Sequence, residues 1–219
     1  MASTKRPTLT RKSITATALA LADTVGLNEL TTRRLAVELG VKSPALYWHF
    51  ANKQALLDGM GDAIILSAGM GAPLPDEGWQ KWVERRARAY RTEMLSHRDG
   101  ARIVASVRTA SPETVRLFGD EIAALAALGF DPALAVRTIA VVSHYVTGFV
   151  LKEQAAAEAQ RMGVGGAVNP MEILDGPALD TFVVAMRTGG DPLGEDVFEH
   201  GLRMIILGTE RELAAVSSD

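Results

Sequence analysis

The chain has 219 residues, of which 47% are hydrophobic and 22% charged, the composition of an ordinary soluble protein with a packed core. It contains no cysteine, which excludes both a disulfide framework and a thiolate metal site. The net charge of −3 is unevenly divided, because residues 1–60 hold eight basic and four acidic residues and the remainder is acidic. A basic N-terminal part on an acidic body is typical of a regulator whose N-terminal part alone contacts phosphate.

The N-terminus and the longest apolar runs bear on localisation. Residues 1–12 are polar and basic, without the apolar segment of a signal peptide. We find no apolar run of the roughly 18 residues that a membrane span needs. The sequence therefore predicts no membrane partner and a cytoplasmic location.

Nearly the whole chain has the apolar spacing of helices. Apolar residues recur at intervals of three and four, and no alternating stretch predicts a strand. Helix starts are marked at 43–44, 111–112 and 131–132, where a serine or aspartate that can cap the helix precedes a proline. The predicted helices cover residues 10–25, 31–39, 43–50, 53–66, 79–95, 97–104, 112–128, 132–160, 178–187 and 194–213.

Two segments rich in glycine or proline interrupt this pattern. Residues 69–78 contain two prolines and three glycines and predict the boundary between an N-terminal head and a larger body. Residues 162–170 are rich in glycine and predict a loop.

Residues 30–53 have the spacing of a helix-turn-helix. Two short helices flank a turn at Gly40, and the small Ala36 lies where the helices would cross. The leading end of the second helix would enter the major groove of DNA. Asn52 and Lys53 begin the next helix, whose free amides and positive dipole end can hold one phosphate.

Longer stretches around this motif resemble a known family. The segments at residues 31–36, 47–50 and 52–57 strongly resemble the N-terminal domain of the tetracycline repressor (TetR) family. Those at 79–80, 95–101 and 129–130 resemble the C-terminal domain of its tetracycline-repressor subgroup. The resemblance implies an all-α homodimer that binds operator DNA and holds a small-molecule inducer in each body, whose binding releases the DNA.

The resemblance also implies a domain organisation and a set of site residues. A three-helix DNA-binding domain with the helix-turn-helix is expected over residues 1–66, and a helical ligand-binding and dimerisation domain over 67–219. The DNA-contacting positions carried over from the family are Thr32, Arg33, Ser43, Pro44, Ala45, Tyr47 and Lys53. The pocket-facing positions are Arg86, Tyr90, Val104, Arg108, Glu121, Ile122 and His144, which would give an apolar cavity with a few polar groups.

One departure from the subgroup concerns its metal. The positions at which tetracycline-binding members hold the drug and its magnesium fall on Val104, Val107 and Lys152, and none of these ligates magnesium. Arg86 replaces an amide that would contact the drug. The four histidines form no local pair with metal-ligand spacing, so no metal and no cofactor is predicted. A magnesium–tetracycline inducer is therefore not expected.

Three further expectations concern packing and switching. Trp48 and Phe50 are predicted to be buried, because aromatic residues at a helix end usually bury their area. A ligand near Val104 is expected to press the helix at 97–104 against the helix at 53–66. Dimerisation is expected on the helices at 132–160 and 194–213, whose apolar residues recur at spacings broader than one core stripe needs, so that some of this surface should face a partner. These residues are Ile139, Val142, Val146, Val150, Phe198, Leu202, Ile205 and Ile206.

Two alternatives to an inducible repressor stay open at this point. The chain could be a small-molecule carrier or an enzyme without a DNA role, although no nucleophile with a base and an orienting group can be assembled from its motifs. It could also activate transcription or bind DNA constitutively. Arg33, Tyr47 and Lys53 on one exposed face favour the repressor, since a carrier has no need of them.

Overall fold

The computed structural model describes residues 9–164 and 170–216, and these residues form ten α-helices and no strand. The predicted all-α class is thereby confirmed. The helices are α1 (Arg11–Val25), α2 (Thr32–Glu38), α3 (Pro44–Tyr47), α4 (Lys53–Ser67), α5 (Trp79–Leu95), α6 (Gly100–Ala105), α7 (Pro112–Ala127), α8 (Pro132–Arg161), α9 (Gly176–Gly189) and α10 (Glu195–Val216).

The head consists of α1 to α3 and the first half of α4. Helix α1 begins at a capping box formed by Thr10 and Ser13, and it ends at Gly26, whose φ of 85° favours glycine. Apolar side chains from all four helices meet in the core of the head. They include Ile14, Leu19, Leu35, Leu46, Leu56 and Met60.

The second helix of the helix-turn-helix is shorter than predicted. It covers Pro44–Tyr47, whereas the sequence predicted residues 43–50. Ser43 already has helical backbone angles, and its side chain makes no capping hydrogen bond, so the predicted Ser43 cap is wrong. The preceding turn leaves no room for an extended cap residue, because the N–H of Ala45 donates to the carbonyl of Lys42 at 2.9 Å. The other two predicted caps, Ser111 and Asp131, are confirmed.

Helix α8 is the centre of the body and packs against α5, α6, α7 and α10. Of the eight apolar residues among which part of the dimer surface was expected, seven are buried within this chain, and the eighth, Ile205, is half-buried. The seven buried residues are therefore unavailable to a partner, because one face of α8 and one of α10 close the body, whereas dimerisation on these two helices stays a prediction. The apolar residues that stay exposed on these two helices include Val136, Val141, Met204 and Leu207.

Helix α8 is long and apolar enough to be compared with a membrane span, although the sequence showed no uninterrupted apolar run of that length. By length and composition alone it could cross a membrane, since it has 30 residues and an 18-residue window of mean hydropathy 1.5. Core helices of soluble proteins have the same composition, and α8 carries seven buried residues in contact with four other helices. We therefore assign α8 to the core of the body.

Helix α4 joins the head to the body. It contacts α1 on one side and α5, α6 and α7 on the other. A second connection runs from the end of α1, where the Asp23 carboxylate accepts from the Arg98 N–H at 2.9 Å and lies 2.9 Å from Nδ1 of His97. The carboxylate of Asp99 accepts from the N–H of Leu27 at 2.8 Å.

Two predicted elements of the body change their extent. The short helix predicted at 97–104 is α6, Gly100–Ala105, and residues 97–99 form the turn before it. The helix predicted at 178–187 extends over Gly176–Gly189. Most of the loop predicted at 162–170 lies outside the described residues.

Candidate functional site

The predicted DNA-contacting residues lie on α2, on and beside α3, and at the start of α4. Pro44 and Tyr47 are exposed on α3, while Ser43 and Ala45 are half-buried beside them. Leu46 points the other way, into the core. Two further predicted positions, Thr32 and Arg33, begin α2, and Thr32 shares a shallow crevice with Tyr47.

Trp48, which follows Tyr47 in the chain, is exposed, and this corrects the prediction that it is buried. Its side chain is 90% exposed, whereas Phe50 is buried as predicted. Leu46 and Phe50 are four residues apart and turn to the same side, so they occupy the core and leave Trp48 outside. This spacing of four was the signal in the sequence that separated the two aromatic residues.

Two cations of the head are available for phosphate. Arg33 and Lys53 are exposed and form no ion pair with any residue in 9–164 or 170–216. The neighbouring Arg34, in contrast, is paired with Glu29 at 3.1 Å. Arg33 is therefore available to bind phosphate, whereas Arg34 is already paired, a difference that the sequence alone does not show.

Lys53 stands at a helix N-terminus that is suited to an anion. The side chain of Asn52 caps α4 by accepting from the N–H of Ala55 at 2.8 Å, and no acidic residue lies in the first turn. Arg11 fixes the preceding loop, since its guanidinium donates to the carbonyl of His49 and lies 4.3 Å from the ring centre of Phe50. The remaining free amides of α4 and the Lys53 ammonium form a compact positive site.

The body contains a cavity of about 210 Å³ between α4, α5, α7 and α8. Two of the predicted pocket residues, Arg86 and Tyr90, line it. Burial raises the pKa of the Tyr90 phenol above its ordinary value, although a hydrogen bond with Thr147 opposes this. The lining residues are Ile65, Ala68, Met70, Arg86, Tyr90, Thr114, Phe118, Ile139, Ala140 and Ser143.

A buried ion pair joins Arg86 of the cavity wall to Glu121, a predicted pocket residue that does not itself line the cavity. The Nε of Arg86 donates to Oε1 of Glu121 at 2.9 Å, and the N–H of Gly71 donates to the same oxygen at 3.1 Å. Nη1 of Arg86 donates to the hydroxyl of Ser143 at 3.3 Å. Glu121 is fully buried, and its Oε2 has no hydrogen-bond partner among the described residues. The pair is electrically neutral as a unit, with one acceptor oxygen unused.

The other predicted pocket residues lie elsewhere. Val104 is buried on α6 and Ile122 is half-buried on α7, and neither lines the cavity. Arg108 and His144 are exposed on the surface of the single chain. The ligand contacts assigned to these four stay predictions. Thr114 and Phe118, in contrast, line the cavity although they were not predicted. Together with Leu125 they have the spacing of the face of α7 that turns toward the core, which was the signal in the sequence.

The body does not fit the magnesium of the tetracycline-binding proteins. Val104 and Val107 offer only hydrocarbon, and Lys152 offers a cation. The described residues contain no group of three His, Asp or Glu side chains that could hold a metal ion. Oxygen ligands, which magnesium prefers, are absent from the three positions.

Two family models together match most of the chain. Residues 14–60 match the model described as bacterial regulatory proteins, tetR family, and residues 72–213 match the tetracyclin repressor-like C-terminal domain. Among curated proteins, the class G tetracycline repressor protein of Vibrio anguillarum is 38% identical over 95% of this chain and 97% of its own length. The class C protein of Escherichia coli is 35% identical over 93% of this chain and 91% of its own length.

Solved structures give the same result. TetR from Acinetobacter baumannii AYE is 37% identical over 93% of this chain and 97% of its own, with a TM-score of 0.73. TetR(class A) in complex with 5a,6-anhydrotetracycline and magnesium is 30% identical over 93% and 99%, with a TM-score of 0.68. The chain therefore belongs to the tetR family of bacterial regulatory proteins. It is a transcriptional repressor of this family, with an N-terminal DNA-binding part and a C-terminal ligand-responsive part.

Proposed function

We propose that the chain acts in the cytoplasm as a homodimer that binds a palindromic operator and leaves it when a small organic molecule enters the cavity. The observation that carries the proposal is the course of α4. This helix begins at the exposed Lys53, next to Asn52, which lines the same crevice as Tyr47, and its last turn supplies Ile65 to the wall of the cavity. One rigid element thus touches both candidate sites.

The assignment of DNA contacts follows from chemistry and exposure. Arg33 and Lys53 supply charge to the phosphates, which sets the register of the head without reading sequence. Pro44, Ala45 and Tyr47, on α3, supply short and aromatic side chains to the base edges. Trp48 joins this set because it stands beside Tyr47 with most of its ring in solvent.

The homodimer is supported by apolar surface that one chain leaves uncovered. Val141 on α8 and Met204 and Leu207 on α10 are about half-exposed. Helix α9 carries no buried residue, although Val184 and Met186 on it are apolar. A twofold interface that covers these helices would place two heads on one DNA duplex, as half-sites one helical turn apart require.

The cavity defines the class of inducer. An engineered cavity of about 150 Å³ in another protein holds benzene, so about 210 Å³ accommodates one ring with a few substituents rather than four fused rings. Arg86 is already neutralised by Glu121, so a further net charge would be buried without a partner. We infer a neutral, mostly apolar ligand with a hydrogen-bonding group directed at this pair, and no magnesium.

The experiment is a selection of DNA by the purified chain. A random pool of duplexes is enriched on the protein, and the selected site is examined by footprinting and its complex by light scattering. We expect an inverted repeat bound by two chains, with affinity that falls steeply as salt rises. A chain that enriches no sequence, or that is a monomer at micromolar concentration, would contradict the proposal and favour the carrier without a DNA role.

A second measurement tests the inducer class. The thermal midpoint of the chain is followed with anhydrotetracycline and magnesium, and in parallel with a library of neutral one-ring compounds. We expect no stabilisation by the metal–drug complex and a concentration-dependent rise with members of the library. Stabilisation by the metal–drug complex would show that the cavity accepts the ligand of the relatives.

A further inference from the structure

A buried hydrogen bond connects the wall of the cavity to helix α4. Thr114, in the first turn of α7, lines the cavity and donates from Oγ1 to Oδ1 of Asp62 at 2.6 Å. The N–H of Ser111 donates to the same oxygen at 2.9 Å. Asp62 is 9% exposed and Thr114 is 7% exposed, so water competes little for this contact. The N-terminus of α7 is thus fixed to α4 by one carboxylate.

The lining of the cavity favours α4 over α6 as the element that senses its contents. None of the lining residues belongs to α6, which was expected to transmit the signal from Val104. Ile65 and Ala68, by contrast, come from the end of α4 and its C-cap, and Thr114 is bonded to the same helix. A molecule in the cavity therefore meets α4 directly and also through Asp62.

Helix α4 crosses the body beside Asp62. A methyl group added at Gly61 would lie 2.2 Å from a methyl carbon of Val107 and 3.3 Å from the carbonyl of Ile103, so the backbones approach closely here. Lys53 lies eight residues from this crossing, about 12 Å along the helix at 1.5 Å per residue. A small rotation of α4 about Gly61 therefore moves Lys53 and the attached head by a larger distance.

We propose that the Thr114–Asp62 hydrogen bond is the coupling contact through which the contents of the cavity set the position of α4 and hence of the DNA-reading surface. A molecule that displaces the start of α7 moves Thr114, and Asp62 follows because its carboxylate is held there. The inference rests on the proposed function, since it presupposes that the head binds DNA and that the cavity is regulatory. Asp62 and Thr114 are positioning residues, and neither is assigned a contact with DNA.

The experiment replaces the unidentified ligand by a side chain. Ala140 lines the cavity, so Ala140→Phe fills much of it and Ala140→Leu fills less. The affinity for the DNA site selected above is measured for each filling variant in four backgrounds. These backgrounds are the parent chain, Thr114→Val, Thr114→Ser and Thr138→Val. Thermal unfolding of every variant establishes that it is folded, and the Leu series replaces the Phe series if Ala140→Phe does not fold.

Thr138→Val is the matched control. Thr138 is also buried, on α8, but its hydroxyl has no hydrogen-bond partner among the described residues. Thr138→Val therefore makes the same chemical change as Thr114→Val without breaking a hydrogen bond to α4. Thr114→Ser keeps the hydroxyl and should keep the coupling.

We expect filling to change the operator dissociation constant by about 5- to 150-fold in the parent, Thr138→Val and Thr114→Ser backgrounds. In the Thr114→Val background the change should be at least about threefold smaller, and the part that remains reflects the direct contact through Ile65 and Ala68. An equal change in Thr114→Val would overturn the inference, and so would an operator-binding parent that is insensitive to filling. A parent chain that binds no operator would overturn the proposed function, which makes the two failures distinguishable.

Discussion

Arg86, in the wall of the cavity, forms an ion pair with the buried Glu121, with Nε of the guanidinium 2.9 Å from Oε1 of the carboxylate. Their side chains are 10% and 0% exposed, so neither charge is screened by water when the other is removed. Arg86 can therefore contact a ligand in the cavity, and loss of either partner would leave a buried charge that destabilises the body.

Removing one partner should destabilise the body strongly, whereas removing both should not. We expect Arg86→Leu to cost about 3–5 kcal/mol of unfolding free energy, because Glu121 would keep a buried charge without a partner. The double variant Arg86→Leu/Glu121→Leu should recover most of this loss. Urea unfolding at one fixed protein concentration measures both, since a dimer's stability depends on concentration. A double variant as unstable as the single one would show that the pair itself contributes the stability.

Gly100 should be intolerant of alanine, in contrast with another helical glycine. A Cβ at Gly100 would lie 2.0 Å from the carbonyl oxygen of Met94, and backbone cannot yield as a flexible side chain can. A Cβ at Gly119, inside α7, meets nothing within 4 Å. We expect Gly100→Ala to destabilise by more than about 2 kcal/mol and Gly119→Ala to stabilise by about 0.5–1 kcal/mol. Thermal and urea unfolding compare the two, and equal effects would contradict the close packing of the turn before α6.

Trp48 should report DNA binding by its accessibility. The chain has three tryptophans, and the other two, Trp79 and Trp82, are buried in the body. We expect acrylamide to quench the fluorescence of Trp48 in the free protein and much less in the operator complex. This decrease in quenching on operator binding should be absent in Trp48→Phe and should persist in Trp79→Phe. An operator complex in which Trp48 stays as accessible as in the free chain would remove it from the reading surface.

Lys53 should contribute charge without reading sequence. We expect Lys53→Ala to weaken binding to operator and random DNA by similar factors, and to lower the slope of log K against log salt by about one for each phosphate that is no longer neutralised. Tyr47→Ala should weaken binding to the operator more than binding to random DNA. The exposed Lys81, on α5 in the body, provides the control, since Lys81→Ala should change neither quantity. Equal salt slopes for the parent and Lys53→Ala would contradict the phosphate contact.

The segment before α5 should lose an ion pair in acid. Two hydrogen bonds from Arg85, at 2.8 and 2.7 Å, lower the pKa of Glu77 from 4.5 to about 2, although desolvation opposes the shift. Because the pKa is lower in the folded chain, the pair stabilises it above pH 4.5, and this contribution is lost as the pH falls toward 2.

The test compares Glu77→Gln with the parent at several pH values. We expect the variant to be less stable by about 1 kcal/mol or less at pH 7, because Arg85 is partly exposed, and the difference to shrink steadily below pH 4.5. Urea unfolding at pH 7, 5, 4 and 3 follows this difference, with the exposed neighbour Asp76→Asn as the control. A difference that grows as the pH falls would show that the carboxylate is not stabilised in the folded chain.

Local physics determined much of this protein from the sequence alone. The spacing of apolar residues predicted the helices, and the oxygen-bearing side chains ahead of Pro112 and Pro132 predicted two caps, because both effects act within one or two turns. The helix-turn-helix and its exposed Tyr47 followed from the same local rules. These features depend on neighbours within a few positions in the chain.

Contacts between distant residues were decided only by the tertiary structure. Apolar spacing marks a face that must be covered, but it does not say whether the same chain or a second one covers it, so part of the buried stripes of α8 and α10 was expected at the dimer interface. Trp48 and Phe50 look alike as residue types, and the structure showed that only Phe50, four residues after Leu46, turns to the core. The cavity depends on side chains from four helices, and the bond between Asp62 and Thr114 joins residues 52 positions apart. No local pattern encodes such a contact, because its geometry is set by how the helices pack.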